Sequence, residues 1–560
     1  MKIEEYIAER LRKEGVRKVF GIPGGPSIPY MEAFRKAGIE FVLTGHEASA
    51  AVMADVTARL TGVTGVCHAT FGPGAVNLAS GVGGALLDRS PVIALTSELP
   101  DEWLGRTAQM NIDHQALFSP LTKATFRLSA ANAVEVINRS LELANEEYPG
   151  PVHIGLPSDL SGSEVSGSVS TEMNAGGRAE EVSVSSGAAP VLIPGKPATD
   201  QVSGFKAEKP ISESVSIHGR AGVLIASARR PLVAVGLTAM RTGAGKALVK
   251  FLEQHRVPVV VTPMARGVIP SDNPCFAGVL FHALSDRLGR LVQAADLVIG
   301  LGYDPVEYNY ESWIPEVPLV HFDTRPSDIR IKGAIEIVSM PDRWFEILDP
   351  LMSSSEMTDL AADARKAIIN GLNVKASGFN PVTALSVLRE LLPAGTIVTA
   401  DVGSHLHLLG QMWDVMSGRL IMTNGWSTMG FGLPAAIAAA MSGNGEPVVC
   451  ITGDGGFVMH AGEILTARRH GLNLITIVLS DGELNLIRVK QSWKNVTPYG
   501  VGLCSGQLFG ADSFLGAEVI PVTNAIDMHS AVRKALRSGG CTIIEAVVDP
   551  SLYNDLVVRS

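Results

Sequence analysis

The chain has 560 residues, 46% hydrophobic and 18% charged, a core-rich profile that argues against a disordered protein. Its net charge of −10 argues against nucleic acid or an anionic membrane surface as partner. One core is too few at this length, so about three domains of roughly 150–200 residues are expected.

The N-terminal "MKIEEYIAERLRKEG" reads as a charged amphipathic helix without the apolar core of a signal peptide. No uncharged stretch reaches the ~18 residues a membrane helix needs. Five cysteines (67, 275, 450, 504, 541) are scattered without C-x-x-C spacing, which points to a reducing compartment and away from a disulfide framework or zinc site. A cytoplasmic protein with neither membrane nor nucleic-acid partner is expected.

In the first third, apolar runs bounded by Gly or Pro ("KVFGIPGG", "GVCHATFGPG", "SPVIALTSE") alternate with helical stretches such as "HEASAAVMADVTARLTG". Residues 161–215 depart from this pattern. They are rich in Ser, Gly and Val, lack a helical period, and read as a linker or surface excursion. The middle third resumes with "PLVAVG", "VPVVVTP", "DLVIGLG" and "PLVHFDT". The last third does so with "TIVTADVG", "PVVCITGDGG", "LITIVLSDG" and "CTIIEAVVDP". Strands of this kind between helices predict α/β domains with parallel sheets covered on both faces. Three consecutive domains are expected, at 1–160, 216–350 and 375–555.

In such domains ligands bind beyond the carboxyl ends of the strands. Asp454 follows "VVCIT" and Asp481 follows "LITIVL", so both carboxylates can reach one rim. Mg²⁺ takes a few carboxylate or carbonyl oxygens together with phosphate oxygens. Gly453, Gly455 and Gly456 would let backbone N–H groups approach a phosphate, at the positive end of the following helix. A simple Asp-Gly turn is the competing reading.

The order "GDG", helix, aliphatic strand, polar doublet resembles the signature of thiamine-diphosphate enzymes. The family's usual pair of asparagines is here Ser480-Asp481, so the resemblance makes Asp454 and Asp481 metal ligands, with Glu483 contributing its backbone carbonyl. An Asp at this position is also found in the catabolic acetolactate synthases. "VLTGHEASAAVMADVTARLTG" resembles the family's glutamate helix and implies Glu47 as the acid at the cofactor's aminopyrimidine. That acid drives the ring to its imino tautomer, which then takes the proton from the thiazolium carbon. "ATFGPGAVNLASG" is similar to the family's G-P-G-x-x-N turn and implies Pro73 and Asn77 beside the ring. "DVGSHLHL" resembles a diphosphate-contacting segment, implying Val402, Gly403, Ser404 and His405. "WSTMGFGLPAAIAAA" resembles the segment whose methionine bends the cofactor, implying Ser427 and Met429. The three domains are then pyrimidine-binding, central and diphosphate-binding.

The middle segments "VIGLGYDPVEYN" and "PLVHFDTRPSDI" are similar to the FAD-independent, catabolic acetolactate synthases. Gly302 stands where the FAD-containing type has a substrate-contacting arginine, which tells against FAD and branched-chain regulation. Simple 2-oxoacid decarboxylases carry a His-His pair and a glutamate six residues beyond the metal-binding amide. This chain has Ile487 there and no adjacent histidines in its first third. An apolar residue at that place leaves the hydroxyethyl enamine without a proton donor and favours attack on a second carbonyl. Lys490 could pair with an acceptor carboxylate or be a solvated helix lysine. Gln115, in "IDHQALFSPLTK", is a second pocket candidate or a helix-surface residue.

The resemblance therefore implies an acetolactate-synthase-like carboligase. It would join two small 2-oxo acids with thiamine diphosphate and Mg²⁺ and act as a homodimer or homotetramer. Alternatives are a related lyase or acyltransferase (sulfoacetaldehyde acetyltransferase-like or aldehyde lyase-like) and a cofactor-free scaffold. A nucleotide-binding dehydrogenase is weaker, because "GIPGGPSIPYMEA" lacks G-x-G-x-x-G spacing.

Overall fold

The computed structural model describes residues 1–165, 219–307, 313–373, 378–413, 420–443, 445–504 and 506–557. The expected excursion over 161–215 lies outside the described residues from 166 onward.

Three sheets carry the chain. The first contains β1 (Lys18–Ile22), β2 (Glu40–Leu43), β3 (Gly65–Ala69), β4 (Val92–Glu98), β5 (Ala124–Arg127) and β6 (Val152–Pro157). Its order is β2-β1-β3-β4-β6-β5 and every pairing is parallel. The second contains β7 (Pro231–Val235), β8 (Val259–Val261), β9 (Phe276–Val279), β10 (Leu297–Leu301), β11 (Leu319–Asp323) and β12 (Ile335–Val338). It is parallel throughout, in the order β12-β11-β10-β7-β8-β9. The third contains β13 (Ile397–Ala400), β14 (Leu420–Ile421), β15 (Val448–Gly453), β16 (Leu474–Ser480), β17 (Ser513–Phe514), β18 (Ala517–Val522) and β19 (Cys541–Val547). Its order is β14-β13-β15-β16-β19-β18-β17, and only the β17–β18 edge pair is antiparallel.

The central strands consist largely of β-branched and aliphatic residues and are buried on both faces. β4, β7 and β16 have no exposed position. Helices return the chain between parallel strands, and glycine ends some of them. The helix Glu47–Thr61 ends at Gly62, whose φ of +70° suits glycine and whose N–H reaches the Ala58 carbonyl.

By contacts the chain divides into two compact units, Met1–Asp200 and Gln201–Ser560. The second and third sheets thus belong to one unit, although sequence patterning separates them. Their hydrophobic cores merge: Leu284, Leu288 and Ile368 pack in the same cluster as Leu406, Leu409 and Trp413. Polar stitches add to this. Gln411 donates to the Val279 carbonyl at 2.8 Å and accepts its N–H at 3.2 Å, while buried Arg266 donates to the Gly410 and Trp413 carbonyls.

Candidate active site

In the second unit the carboxyl ends of β13, β15 and β16 open on a cavity of about 490 Å³. Its wall includes the residues of this unit that the sequence and its family resemblance point to as metal, cofactor or acceptor contacts: Val402, Gly403, Ser404, His405, Ser427, Met429, Gly453, Asp454, Gly455, Gly456, Asp481, Glu483 and Lys490.

Asp454 is the first residue of the helix Asp454–His460 and is 2% exposed. Its Oδ1 accepts the Gly455 N–H at 2.8 Å. Its Oδ2 accepts the N–H groups of Asp481 at 3.1 Å and Gly482 at 2.7 Å. One carboxylate thereby fixes the loop that carries the other. Asp481 Oδ1 in turn accepts the Glu483 N–H at 3.1 Å, and the Glu483 carboxylate pairs with Arg488. Burial, then the charge of Asp454, pushes the Asp481 pKa up to about 7, and burial also raises Asp454. Two partly desolvated carboxylates that repel one another suit a divalent cation, which removes the repulsion.

Behind the part of the wall formed by residues 402–405 lies Asp401, which follows β13. It is buried, and four groups donate to it: Val402 N–H (2.6 Å), Gly430 N–H (2.9 Å), Gly432 N–H (3.3 Å) and the Thr452 hydroxyl (3.1 Å). Burial nonetheless raises its pKa to about 6. A Cβ on Gly456 would lie 2.7 Å from Asp401 Oδ2, so only glycine lets this helix start so close. Asp401 was not among the sequence candidates. It stands at a strand end, as Asp454 does, and the same rule would have found it. Asn485 was also missed, and its signal is its place in the first turn of the helix that follows Asp481.

His405 is buried rather than a surface histidine, and burial depresses its pKa to about 4. Its ring lies against Gly403 and Gly453. His405 Nε2, Ser404 Oγ and both polar atoms of Asn485 (6% exposed) are buried without a hydrogen-bond partner among the described residues. Such groups are costly unless a ligand satisfies them. They surround the cavity beside the acidic loops, and this set fits a diphosphate and its metal. The tip of Met429 comes within 3.2 Å of where a Gly455 Cβ would stand, so it leans across the wall above the glycine loop. Ile487, 44% exposed, and half-buried Lys490 line the same cavity from the helix Asn485–Trp493.

In the first unit, Glu47 opens its helix and is 7% exposed, with His46 Nδ1 capping the first turn by accepting the Ala48 N–H. Glu47 Oε2 accepts from Asn77 Nδ2 at 3.0 Å, and Oε1 lies 3.2 Å from where a Gly74 Cβ would be. Pro73 starts the neighbouring helix, Pro73–Leu87. The two helices touch where Gly81 meets the Ala48 carbonyl, so the turn and the acid are held together. Gln115 is half-buried and donates to Glu98 Oε1 at 2.7 Å, and Glu98 is also paired with Arg127.

Glu98, His114 and His153 bring metal-type ligand atoms within 4.8 Å of one another, but their ring nitrogens are already committed. The Gly72 N–H can only donate, so His114 Nε2 accepts it and Nδ1 carries the proton. That proton goes to Thr96 Oγ1, the Thr96 hydroxyl donates to His153 Nε2, and His153 Nδ1–H donates to Thr125 Oγ1. Burial holds the His114 pKa at about 4. An unfolded imidazole protonates near ~6.5. The stability this group contributes is therefore complete above about pH 6.5 and is lost as pH falls towards 4. His114→Gln keeps an acceptor for Gly72 and a donor for Thr96. It should remove about 2 kcal/mol of the stability that wild type loses between pH 6.5 and 5. Urea melts at the two pH values measure this, and equal slopes for the two proteins would refute it.

Comparison with known proteins agrees with this geometry. Models of the thiamine pyrophosphate enzymes match three parts of the chain: the N-terminal thiamine-pyrophosphate-binding domain at residues 1–117, the central domain at 220–346 and the C-terminal thiamine-pyrophosphate-binding domain at 401–546. The chain belongs to the thiamine pyrophosphate enzymes, which sets aside a nucleotide-binding dehydrogenase. Within that class it is acetolactate-synthase-like. It is 29% identical to the probable acetolactate synthase large subunit of Methanocaldococcus jannaschii over 98% of this chain and 92% of that protein. The catabolic acetolactate synthase of Raoultella terrigena is 27% identical over 97% and 94%, and the isozyme 2 large subunit of Escherichia coli is 28% identical over 86% and 84%.

Proposed function

We propose that this enzyme is an acetolactate synthase that uses thiamine diphosphate and Mg²⁺ to join two molecules of pyruvate, releasing CO₂ and 2-acetolactate. The observation that carries the reading is the cavity in which the Asp454–Asp481 carboxylates and partnerless polar groups meet an apolar wall. Bound thiamine diphosphate supplies the nucleophilic carbon and the electron sink for decarboxylation.

The chain's own residues do the rest. Asp454, Asp481 and the Glu483 backbone carbonyl would hold the metal, while Ser404, His405 and Asn485 would satisfy phosphate oxygens. Met429, which leans across the cavity wall, would pack against the bound cofactor. Glu47, its second oxygen held by Asn77, keeps a proton at the pyrimidine nitrogen. Ile487 places no acid near the reacting carbon, so protonation to an aldehyde is disfavoured and a second carbonyl is the better partner. Lys490, which lines the same cavity, would attract the carboxylate of that second 2-oxo acid.

Self-association belongs to the same reading, with Glu47 serving a cofactor held by a second copy. Pro73 and Val76 are exposed along one helix, and Val458, Met459 and Leu465 are exposed after the Asp454 turn. Apolar side chains beside each half of a site suit coverage by a partner subunit.

Incubating purified protein with pyruvate, thiamine diphosphate and Mg²⁺, then acidifying and assaying acetoin, tests the reaction. Acetoin that depends on both cofactors is expected. Cofactor binding with no product from pyruvate would instead indicate a different donor or acceptor.

A further inference from the structure

The order of the second sheet, β9-β8-β7-β10-β11-β12 read from its other edge, is that of a dinucleotide-binding fold. In such sheets a ligand diphosphate lies outside the carboxyl ends of the strands where the order reverses, here between β7 and β10. Some acetolactate synthases carry FAD, so the fit of a dinucleotide to this crevice can be tested on the residues present.

They do not fit it. At the reversal point the two loops touch: the Thr238 N–H after β7 donates to the Gly302 carbonyl after β10 at 3.1 Å. A Cβ on Gly236 would lie 2.5 Å from that carbonyl and 2.6 Å from Tyr303 Cα. Gly302 has φ +58°, and a Cβ on it would strike Ala239 N and come within 2.9 Å of Thr238 Cβ. An arginine at 302 has no room without moving this contact, which explains the glycine by packing.

Beside the contact, the donors a ligand would use are already taken. Glu307, 3% exposed, follows β10 and returns its carboxylate across the ends of β7 and β8. Oε2 accepts the Leu237 N–H at 3.0 Å and the Thr262 hydroxyl at 2.5 Å, and Oε1 accepts the Met264 N–H at 2.7 Å. We infer that Glu307 is an internal ligand which occupies the anion position of the central-domain crevice and, with the Gly236–Gly302 contact, excludes dinucleotides. Burial raises its pKa to about 8 against these three bonds, and the side chain fills the same space in either protonation state. The backbone carbonyl of Glu307 also accepts Asn424 Nδ2 at 2.5 Å, which links the closed crevice to the wall of the catalytic cavity.

The inference concerns binding and stands whether or not pyruvate is the substrate. Wild-type protein, denatured and analysed by absorbance and chromatography, should release no flavin or nicotinamide dinucleotide. Neither FAD nor NAD⁺ should shift the melting temperature of the folded protein. Glu307→Ala should melt roughly 5 °C lower. Formate should restore part of that loss saturably, while chloride at equal ionic strength should not. Glu307→Gln, which keeps the volume but one acceptor only, serves if the alanine variant does not fold, and should also melt below wild type. A stoichiometric dinucleotide in wild type, an FAD-dependent shift, or a folded Glu307→Ala that melts like wild type overturns the inference. If neither variant folds, the wild-type dinucleotide measurements decide.

Discussion

Glu47→Gln is expected to retain thiamine diphosphate and Mg²⁺ and to lose turnover by about 10²–10⁴-fold, the usual contribution of a positioned acid–base group. The substitution is nearly isosteric. Asn77 still finds an oxygen on the amide, so the helix start and the Gly74 contact should survive. What disappears is the exchangeable proton. Calorimetric titration and the acetoin assay on one preparation separate the two effects. A variant that binds the cofactor and keeps most of its turnover would remove Glu47 from the mechanism. A variant that no longer binds it would show that this carboxylate anchors rather than activates.

Asp454→Asn should act at the other end of the cofactor and fail differently. The carboxylate accepts three backbone N–H groups as well as facing Asp481. An amide has one oxygen to offer and presents N–H groups to donors on its other side. Leaving buried donors unmet costs about 1–3 kcal/mol each. Loss of one anionic metal ligand should weaken Mg²⁺-dependent binding of thiamine diphosphate by at least about 10²-fold. The expected signature is a raised cofactor dissociation constant together with a lower melting temperature of the apoprotein. Unchanged affinity at limiting Mg²⁺ would rule out Asp454 as a ligand.

These two residues are legible in the sequence because each sits in a short motif whose position relative to a strand or helix is itself informative. The strand ends of β15 and β16 could be read from uninterrupted aliphatic runs, and Asp454 and Asp481 follow them directly. β6 was harder to see, since His153 interrupts its apolar run and prolines flank it, although the strand is fully buried. Its histidine is tolerated only because Thr96 and Thr125, from two other strands, satisfy both ring nitrogens. Edge strands such as β2 and β12, half exposed and four residues long, carry little hydrophobic signal of their own. Asp401 follows a strand end, so the rule that finds Asp454 reaches it too. The donors that converge on it and on Glu307, however, come from segments far apart in sequence, which no local pattern records. The merged core of the second and third sheets is likewise a property of long-range packing, invisible to a reading that divides the chain by composition.

The fourfold grip on Asp401 also bears on how readily a coenzyme is captured. Segments 402, 430–432 and 452 are tied to a single carboxylate, so the surfaces proposed to receive the pyrophosphate are held in place before it arrives. Little ordering entropy is then charged to association, and tight capture requires few additional contacts.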